Sequence, residues 1–301
     1  MRKINNYGKF LPGILLVALW CIAPAVAQLR LPRESQKASV MQTIGVADMT
    51  IVYSRPNTKG RAIWGAKAAD PKAKDQPLVP YGEVWRSGAD EATTFTITED
   101  VTINGQPLPA GAYSLHTIPG PTEWVVIFNK VAQQWGSFTY DAKQDALRVT
   151  VKPVAAPMQE ALAYEVSDTG KSSARVALHW EKIAVPFTVA LPDVNALVLT
   201  KTRAALAQAK ADDWRTPMQA ANYYFQNKAN MEEAWAWLEK SIAIKETYRN
   251  LGLKARAYAT MGRKADAIAT GEKAIQVGKA ADAKLDASAL EKLLAEWRAA
   301  K

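Results

Sequence analysis

The first part of the chain, from about Gln28 to Leu191, carries short segments rich in β-branched and aromatic residues, separated by Gly, Pro and Asn turn positions. Several segments alternate apolar and polar side chains, which is the period of a half-buried strand. Strands are predicted at 49–53, 94–98, 101–103, 112–115, 124–128, 147–151 and 174–180. Short strands at this spacing favour an antiparallel β-sandwich or barrel-like domain.

Turn residues between these segments indicate how neighbouring strands connect. Asn104-Gly105 directly follows the 101–103 segment and is a strong signal for a tight hairpin turn. Leu108–Gly111 leads into the next segment, and Gly120-Pro121 separates that one from 124–128. A consecutive antiparallel meander is the simplest topology for this order.

The pattern changes at Pro192, where the apolar spacing becomes helical and alanine becomes the dominant residue. Helices are predicted at 194–211, 218–228, 231–245, 247–261, 264–278 and 285–299. The expected fold is therefore α+β, with an antiparallel β domain at 28–191 followed by an all-α domain at 192–301.

The helical part contains an internal repeat, in which Glu233–Ile242 aligns with Asp266–Ile275. The offset between the two copies is close to the roughly 34-residue period of tetratricopeptide helix pairs. Ala257-Tyr258 and Gly262, upstream of the second copy, resemble the first helix and turn of that motif. Tandem helical hairpins commonly present a surface to a peptide or protein partner. The alternative is that these helices only pack on the β domain and complete its core.

The segment from Met1 to Ala27 has the order of a secretory signal peptide. Three basic residues precede an apolar run at 11–23, and Ala-Val-Ala ends at Ala27 before Gln28. The run is shorter than the roughly 20 residues that a membrane-spanning helix needs. We expect cleavage between Ala27 and Gln28 and a periplasmic or secreted protein. An uncleaved anchor and a lipoprotein attached through Cys21 are the alternatives.

Composition narrows the classes of function. Of 301 residues, 49% are hydrophobic and 22% charged, which is ordinary for globular domains. The 38 basic and 29 acidic residues leave a net charge of +9, a mild excess that does not predict a nucleic-acid partner. Cys21 is the only cysteine, so a mature chain would have no disulfide and no thiolate chemistry. No cofactor, no bound metal and no transmembrane segment after signal cleavage are expected.

Polar and aromatic side chains concentrate in two loop segments, 53–65 and 79–94, with glycine and proline at their corners. Loops on a β scaffold are where binding sites commonly lie. Arginine forks suit carboxylate, phosphate or sulfate groups, and tryptophan or tyrosine faces suit sugar rings. We therefore predict a site for a small anionic or carbohydrate-like ligand. Its candidate residues are Arg55, Lys59, Arg61, Trp64, Tyr81, Glu83, Trp85, Arg86, Asp90, Glu91 and His116.

Two other interpretations of these residues remain open. In the first, the arginines pair with Glu83, Asp90 or Glu91 and pin the loops together, and function lies with partner binding by the helices. In the second, the protein is a periplasmic hydrolase of a glycan or ester, with Glu83, Asp90, Glu91 or His116 as acid or base. The chain lacks the standard catalytic motifs. A non-enzymatic binding or scaffold protein is therefore the leading hypothesis.

Four short runs of residues in these loops and strands form a recognisable set. They are Tyr-Ser-Arg-Pro from Tyr53, Lys-Gly-Arg-Ala-Ile-Trp-Gly from Lys59, Pro-Tyr-Gly-Glu-Val-Trp-Arg from Pro80 and Ala-Gly-Ala-Tyr-Ser-Leu from Ala110. Together they resemble the DUF2911 family of exported bacterial proteins, over about residues 28–190. The resemblance implies a predominantly β domain, export and a helical extension like that of many members. It implies no activity and no catalytic residue, and Asp90 stands where asparagine is expected.

Overall fold

The chain has a β part followed by a helical part. The computed structural model describes residues 31–70, 73 and 76–299, and the predicted signal segment lies outside them. Within these residues, twelve strands precede six helices. The strands are β1 (Gln36–Ile44), β2 (Ala47–Arg55), β3 (Trp64–Gly65), β4 (Val79–Pro80), β5 (Thr93–Ile97), β6 (Val101–Ile103), β7 (Gln106–Leu108), β8 (Gly111–Ile118), β9 (Trp124–Asn129), β10 (Asp145–Val151), β11 (Val154–Ser167) and β12 (Ser173–Ala190).

Two antiparallel sheets make up most of the β part. One has six strands in the order β1-β2-β5-β8-β9-β10, and the other has four in the order β11-β12-β6-β7. The predicted consecutive meander is wrong at two points: β12 pairs with β11 and β6 rather than with β10, and β5 pairs with β8 while the β6–β7 hairpin joins the second sheet. For the hairpin the reason is burial: Val101 and Ile103 lie on one face of β6 and are covered by the core.

The two sheets share one hydrophobic core. Ile51 and Phe95 enter it from the six-stranded sheet, and Leu178 enters it from the four-stranded sheet. The rings of Phe128 and Phe187 meet edge to face across it, with centroids 6.0 Å apart. Over the described residues the sheets do not close into a barrel. The fold is therefore α+β with an open two-sheet β domain, in agreement with the strand pattern.

The tight turn predicted at Asn104-Gly105 is confirmed. The two residues have φ angles of +48° and +82°, and positive φ at both central positions is the requirement of the hairpin turn that matches the twist of the flanking strands. The turn joins β6 to β7, with Ile103 opposite Gln106.

The six predicted helices are confirmed, with ends that differ from the predicted ones by a few residues. Within the described residues they are α1 (Val194–Gln208), α2 (Arg215–Asn227), α3 (Met231–Ile244), α4 (Tyr248–Thr260), α5 (Lys264–Ala281) and α6 (Ser288–Ala299). The side chain of Asp193 caps α1 by accepting a hydrogen bond from the Ala196 N–H at 2.9 Å. None of the described helices is both long and apolar enough to cross a membrane.

Helices α2 to α5 form two successive pairs. The starts of α2 and α4 are separated by the same offset as the two copies of the sequence repeat, and so are the starts of α3 and α5. The buried Asn250 side chain connects the pairs by donating to Ser241 Oγ at 3.0 Å and to the Lys245 carbonyl at 2.8 Å. Helix α1 anchors the helical part to the sheets, because Val194 and Leu197 pack against the sheet core.

Candidate functional site

The loop at 85–91 is held in one conformation by its backbone. Trp85 pairs with Thr117 through an isolated β-bridge. Ser87 and Asp90 both adopt left-handed backbone conformations, with φ angles of +55° and +56°. Residues other than glycine rarely adopt this conformation, and they keep it only where the surrounding structure fixes them.

Buried hydrogen bonds hold the backbone of Ser87 in this conformation. The Ser87 carbonyl accepts from Thr93 Oγ1 at 2.9 Å and from the Tyr164 hydroxyl at 3.1 Å. The Ala89 N–H donates to the Ser54 carbonyl at 3.2 Å. The residues on either side of Ser87 therefore extend from a fixed backbone.

Four tryptophans pack together next to this loop. The Trp64 ring meets Trp85, Trp124 and Trp180 edge to face, with centroid distances of 5.5, 4.9 and 5.5 Å. Trp85 and Trp180 stack with an interplanar angle of 17°. The Trp85 indole N–H donates to the Gly88 carbonyl at 3.1 Å, which ties the cluster to the loop.

A cavity of about 490 Å³ lies beside the stacked tryptophans. The predicted site residues that border it are Lys59, Arg61, Trp85, Arg86 and Asp90. Trp180 and Glu34 also line it and are not predicted from the sequence. Trp180 lies on β12 and Glu34 precedes β1, so both are remote along the chain from the two loop segments that mark the site.

Arg86 lines this cavity, and its side chain has a hydrogen-bond donor without a partner. Its Nε is buried and has no hydrogen-bond partner. Burial lowers the pKa of the guanidinium below its ordinary value, and the negative charge of Asp90 opposes this shift. A buried donor without a partner is costly, and more so when it is charged. The Arg86 side chain is therefore suited to donate to an anionic acceptor.

The other cations of the cavity are already engaged. Arg61 donates to two backbone carbonyls, from Nε at 3.1 Å and from Nη2 at 2.6 Å. Lys59 forms an ion pair with Glu34. Of the three cations that line the cavity in the described part of the chain, Arg86 alone has no such contact.

Replacing Arg86 with methionine is expected to leave the free energy of unfolding unchanged or to raise it by up to about 1 kcal/mol, because the buried charge lacks a partner. Urea unfolding measures this. The matched control is Arg55→Met: Arg55 Nε donates to the Leu162 carbonyl at 2.8 Å, so this change is expected to cost about 1 kcal/mol or more. A loss of about 3–5 kcal/mol in Arg86→Met would instead identify an arginine with a structural partner.

Six predicted residues lie outside the cavity, and four of them have structural contacts or surface positions. Arg55 bonds to the backbone, and Trp64 packs within the tryptophan cluster. Tyr81 is half-buried. Glu83 is exposed and pairs with Lys67 at 2.6 Å.

Glu91 is held by two cations from the start of the β part. Arg33 Nη1 donates to both carboxylate oxygens of Glu91, at 2.9 and 2.7 Å, and Lys37 Nζ lies 3.2 Å away. Burial raises the pKa of Glu91, but the hydrogen bonds from Arg33 and Lys37 outweigh burial and lower the pKa to about 2. Glu91 is therefore ionised at neutral pH and is a poor proton donor.

His116 lies on the other face of the six-stranded sheet. Its neighbour Leu115 faces the core, so alternation along β8 directs the His116 ring to the opposite side. The ring is fully buried, with Nε2 3.1 Å from Ser114 Oγ and 3.2 Å from Gln134 Nε2. Burial lowers the pKa of His116 to about 4, and the charge of Asp145 opposes this only in part.

Among the candidate acid and base groups, Asp90 and Glu91 come near each other, because Arg33 Nη1 lies 4.0 Å from Asp90 Oδ2 and 2.7 Å from Glu91 Oε2. Of Glu83, Asp90, Glu91 and His116, only Asp90 borders the cavity. Glycoside hydrolysis by two carboxyl groups needs both of them beside the scissile bond, so the hydrolase hypothesis stays a prediction. Among the described residues, no group of three or more His, Cys, Asp and Glu side chains is placed to hold a metal ion.

The architecture and the site define the class of the protein: an open two-sheet β domain with an arginine- and tryptophan-lined cavity, extended by paired helices. Residues 35–189, just over half of the chain, match the family described as Protein of unknown function (DUF2911). The chain belongs to this family, which confirms the resemblance carried by the four sequence runs. Every predicted site residue lies inside the matched range. Comparisons with curated proteins and with solved structures find no match.

Proposed function

We propose that the protein is exported and binds a small anionic ligand in the cavity beside Arg86, without transforming it. The observation that carries this proposal is the buried Arg86 Nε, which has no hydrogen-bond partner and belongs to a residue that lines the cavity. A carboxylate or phosphate bound in the cavity would offset the charge of the guanidinium, and a small shift of the Arg86 side chain would bring the buried Nε–H to an anionic oxygen in a charge-assisted bond.

The charge and shape of the cavity support a ligand with one anionic group. Three cations and two carboxylates line it, which leaves one positive charge in excess. Its volume falls within the roughly 300–1,000 Å³ that is usual for small-molecule sites. Trp85 lines the cavity and is 8% exposed, so it offers a small apolar contact to a sugar or another ring, whereas Trp180 is fully buried behind it. A sugar acid or a sugar phosphate combines these features.

Export is supported by the order of charged, apolar and small residues between Met1 and Ala27. We propose cleavage near Ala27 and a periplasmic or secreted location. A mature chain would then have no cysteine, which suits a domain whose stability rests on its hydrophobic cores rather than on disulfides.

Thermal unfolding against a set of sugars, sugar acids and sugar phosphates tests the proposed ligand class. A ligand present at about 100 times its dissociation constant is expected to stabilise the folded protein by about 2.7 kcal/mol. Arg86→Met is expected to abolish the shift, whereas Arg298→Met, at an exposed ion pair on α6, retains it. The proposal fails if no anionic compound shifts the wild-type transition, or if the shift persists in Arg86→Met.

For the helical part, we propose tetratricopeptide-like pairs that hold a protein partner. The support is that the two copies of the repeated sequence are separated by a fixed number of residues, and that the same number separates the starts of α2 and α4 and the starts of α3 and α5. Repeats of this kind expose extended surfaces that commonly bind peptides.

A further inference from the structure

A groove begins where the helices meet the sheets. A cavity of about 1040 Å³ lies between the turn at Gly45-Val46, the loop at 170–172 and the helices α1 and α2. Its walls are largely apolar and include Val194, Val198 and Tyr223. Tyr223 is 36% exposed and Val46 is 37% exposed, so apolar surface is available to a partner at this junction.

A smaller cavity adjoins the first on the neighbouring face of α2. It has a volume of about 250 Å³ and lies between α2 and α4, with Met218 and Leu253 among its apolar lining. Gln219 borders both cavities. An extended chain can therefore pass from the junction cavity to the second cavity across α2 at Gln219.

The second cavity is positively charged. Arg249 and Arg256 both line it, and they are one heptad apart on α4, which places their Cα atoms about 10 Å apart along the helix. Neither has an ion pair within the described residues, whereas Lys254, between them in sequence, pairs with Glu239 at 2.6 Å. No aspartate or glutamate of the described chain lines either cavity.

We infer that this groove binds an extended peptide segment of a partner protein, with apolar residues in the junction cavity and closely spaced carboxylates on Arg249 and Arg256. Arginine forks bind carboxylates in a bidentate manner, and the apolar junction accommodates side chains. A nucleic acid fits less well, because many other basic residues of the helices are already paired, as Arg203 is with Glu233 and Lys279 with Glu291. The inference rests on the proposed partner-binding role of the helices.

Selection of a random library of short peptides on the full chain tests the groove. The expected result is enrichment of peptides that join a group of apolar residues to a group of aspartate or glutamate residues, in either order. Affinity of a selected peptide is then measured by fluorescence anisotropy. The double variant Arg249→Gln, Arg256→Gln is expected to weaken binding by at least about tenfold.

Two controls separate the possible outcomes. The double variant Lys240→Gln, Lys292→Gln removes the same charge from exposed positions and is expected to leave the affinity unchanged, as is Arg86→Met in the β domain. Selected peptides that lack acidic residues, or that bind the Arg249 and Arg256 variant equally well, overturn the groove assignment and leave the partner role of the helices intact. No enrichment at all overturns both, while the ligand proposal for the Arg86 cavity is unaffected.

Discussion

Replacement of Trp124 with alanine is expected to lower the free energy of unfolding by about 3–5 kcal/mol, the usual cost of removing a large aromatic side chain from a core. Trp124 is fully buried on β9, and its ring lies 4.9 Å from that of Trp64. Its indole N–H has no hydrogen-bond partner, so the loss comes from packing alone. Because Trp64 also contacts Trp85 and Trp180, the change removes support from the wall of the cavity.

Chemical denaturation of Trp124→Ala measures this effect, and Trp135→Ala is the matched control. Trp135 is 59% exposed, so its replacement is expected to change stability by no more than about 0.5 kcal/mol. Equal effects of the two substitutions would contradict the position of Trp124 in the tryptophan cluster.

Acidification is expected to destabilise the β domain through His116, by about 3 kcal/mol between pH 6.5 and about 4. The pKa of His116 is depressed in the folded protein to about 4, below its ordinary value of 6.5. The unfolded chain therefore takes up the proton first, and stability that is complete above pH 6.5 is lost as the pH falls. Protonation would also place an N–H at Nε2 against the Gln134 amide, 3.2 Å away.

The contribution of His116 is tested by measuring the free energy of unfolding at neutral and at acid pH, in the wild type and in His116→Gln. The variant is expected to lose less stability on acidification than the wild type does. The His116 ring resonances give a second measurement that does not depend on the variants. Titration of the ring near pH 6.5 would contradict its burial.

The elements with strong local patterns are the ones that the sequence predicts. The β-branched and aromatic segment at 124–128 and the helical spacing after Pro192 correspond to elements of the structure. Strand β1 is not predicted, because it is an edge strand whose exposed positions are mostly polar. Strand β11 is not predicted either; its pairing with β12 shifts register twice, and its sequence lacks a regular alternation.

The candidate site is predicted only in part, because the sequence shows residue types and not the face on which they lie. Lys59, Arg61 and Arg86 come from separate positions in the loops and meet at one cavity. His116 lies on β8 directly after the Ala-Gly-Ala-Tyr-Ser-Leu run, but the alternation of β8 places its ring on the other face of the sheet. Trp180 comes from a distant strand, and only the packing of the two sheets brings it to the cavity.

The resonances of the Arg86 Nε–H group give the most direct test of the central claim, that this guanidinium donates to an anionic ligand. Comparison of wild type with Arg86→Lys assigns the signal, and acetate, inorganic phosphate and glucuronate are the probes. We predict that at least one of them shifts the Arg86 signal saturably, while the signal of Arg55, which lies outside the cavity and whose Nε donates to a backbone carbonyl, stays in place. Arginine signals that all move together with ionic strength, or an Arg86 signal that no anion moves, would contradict the claim.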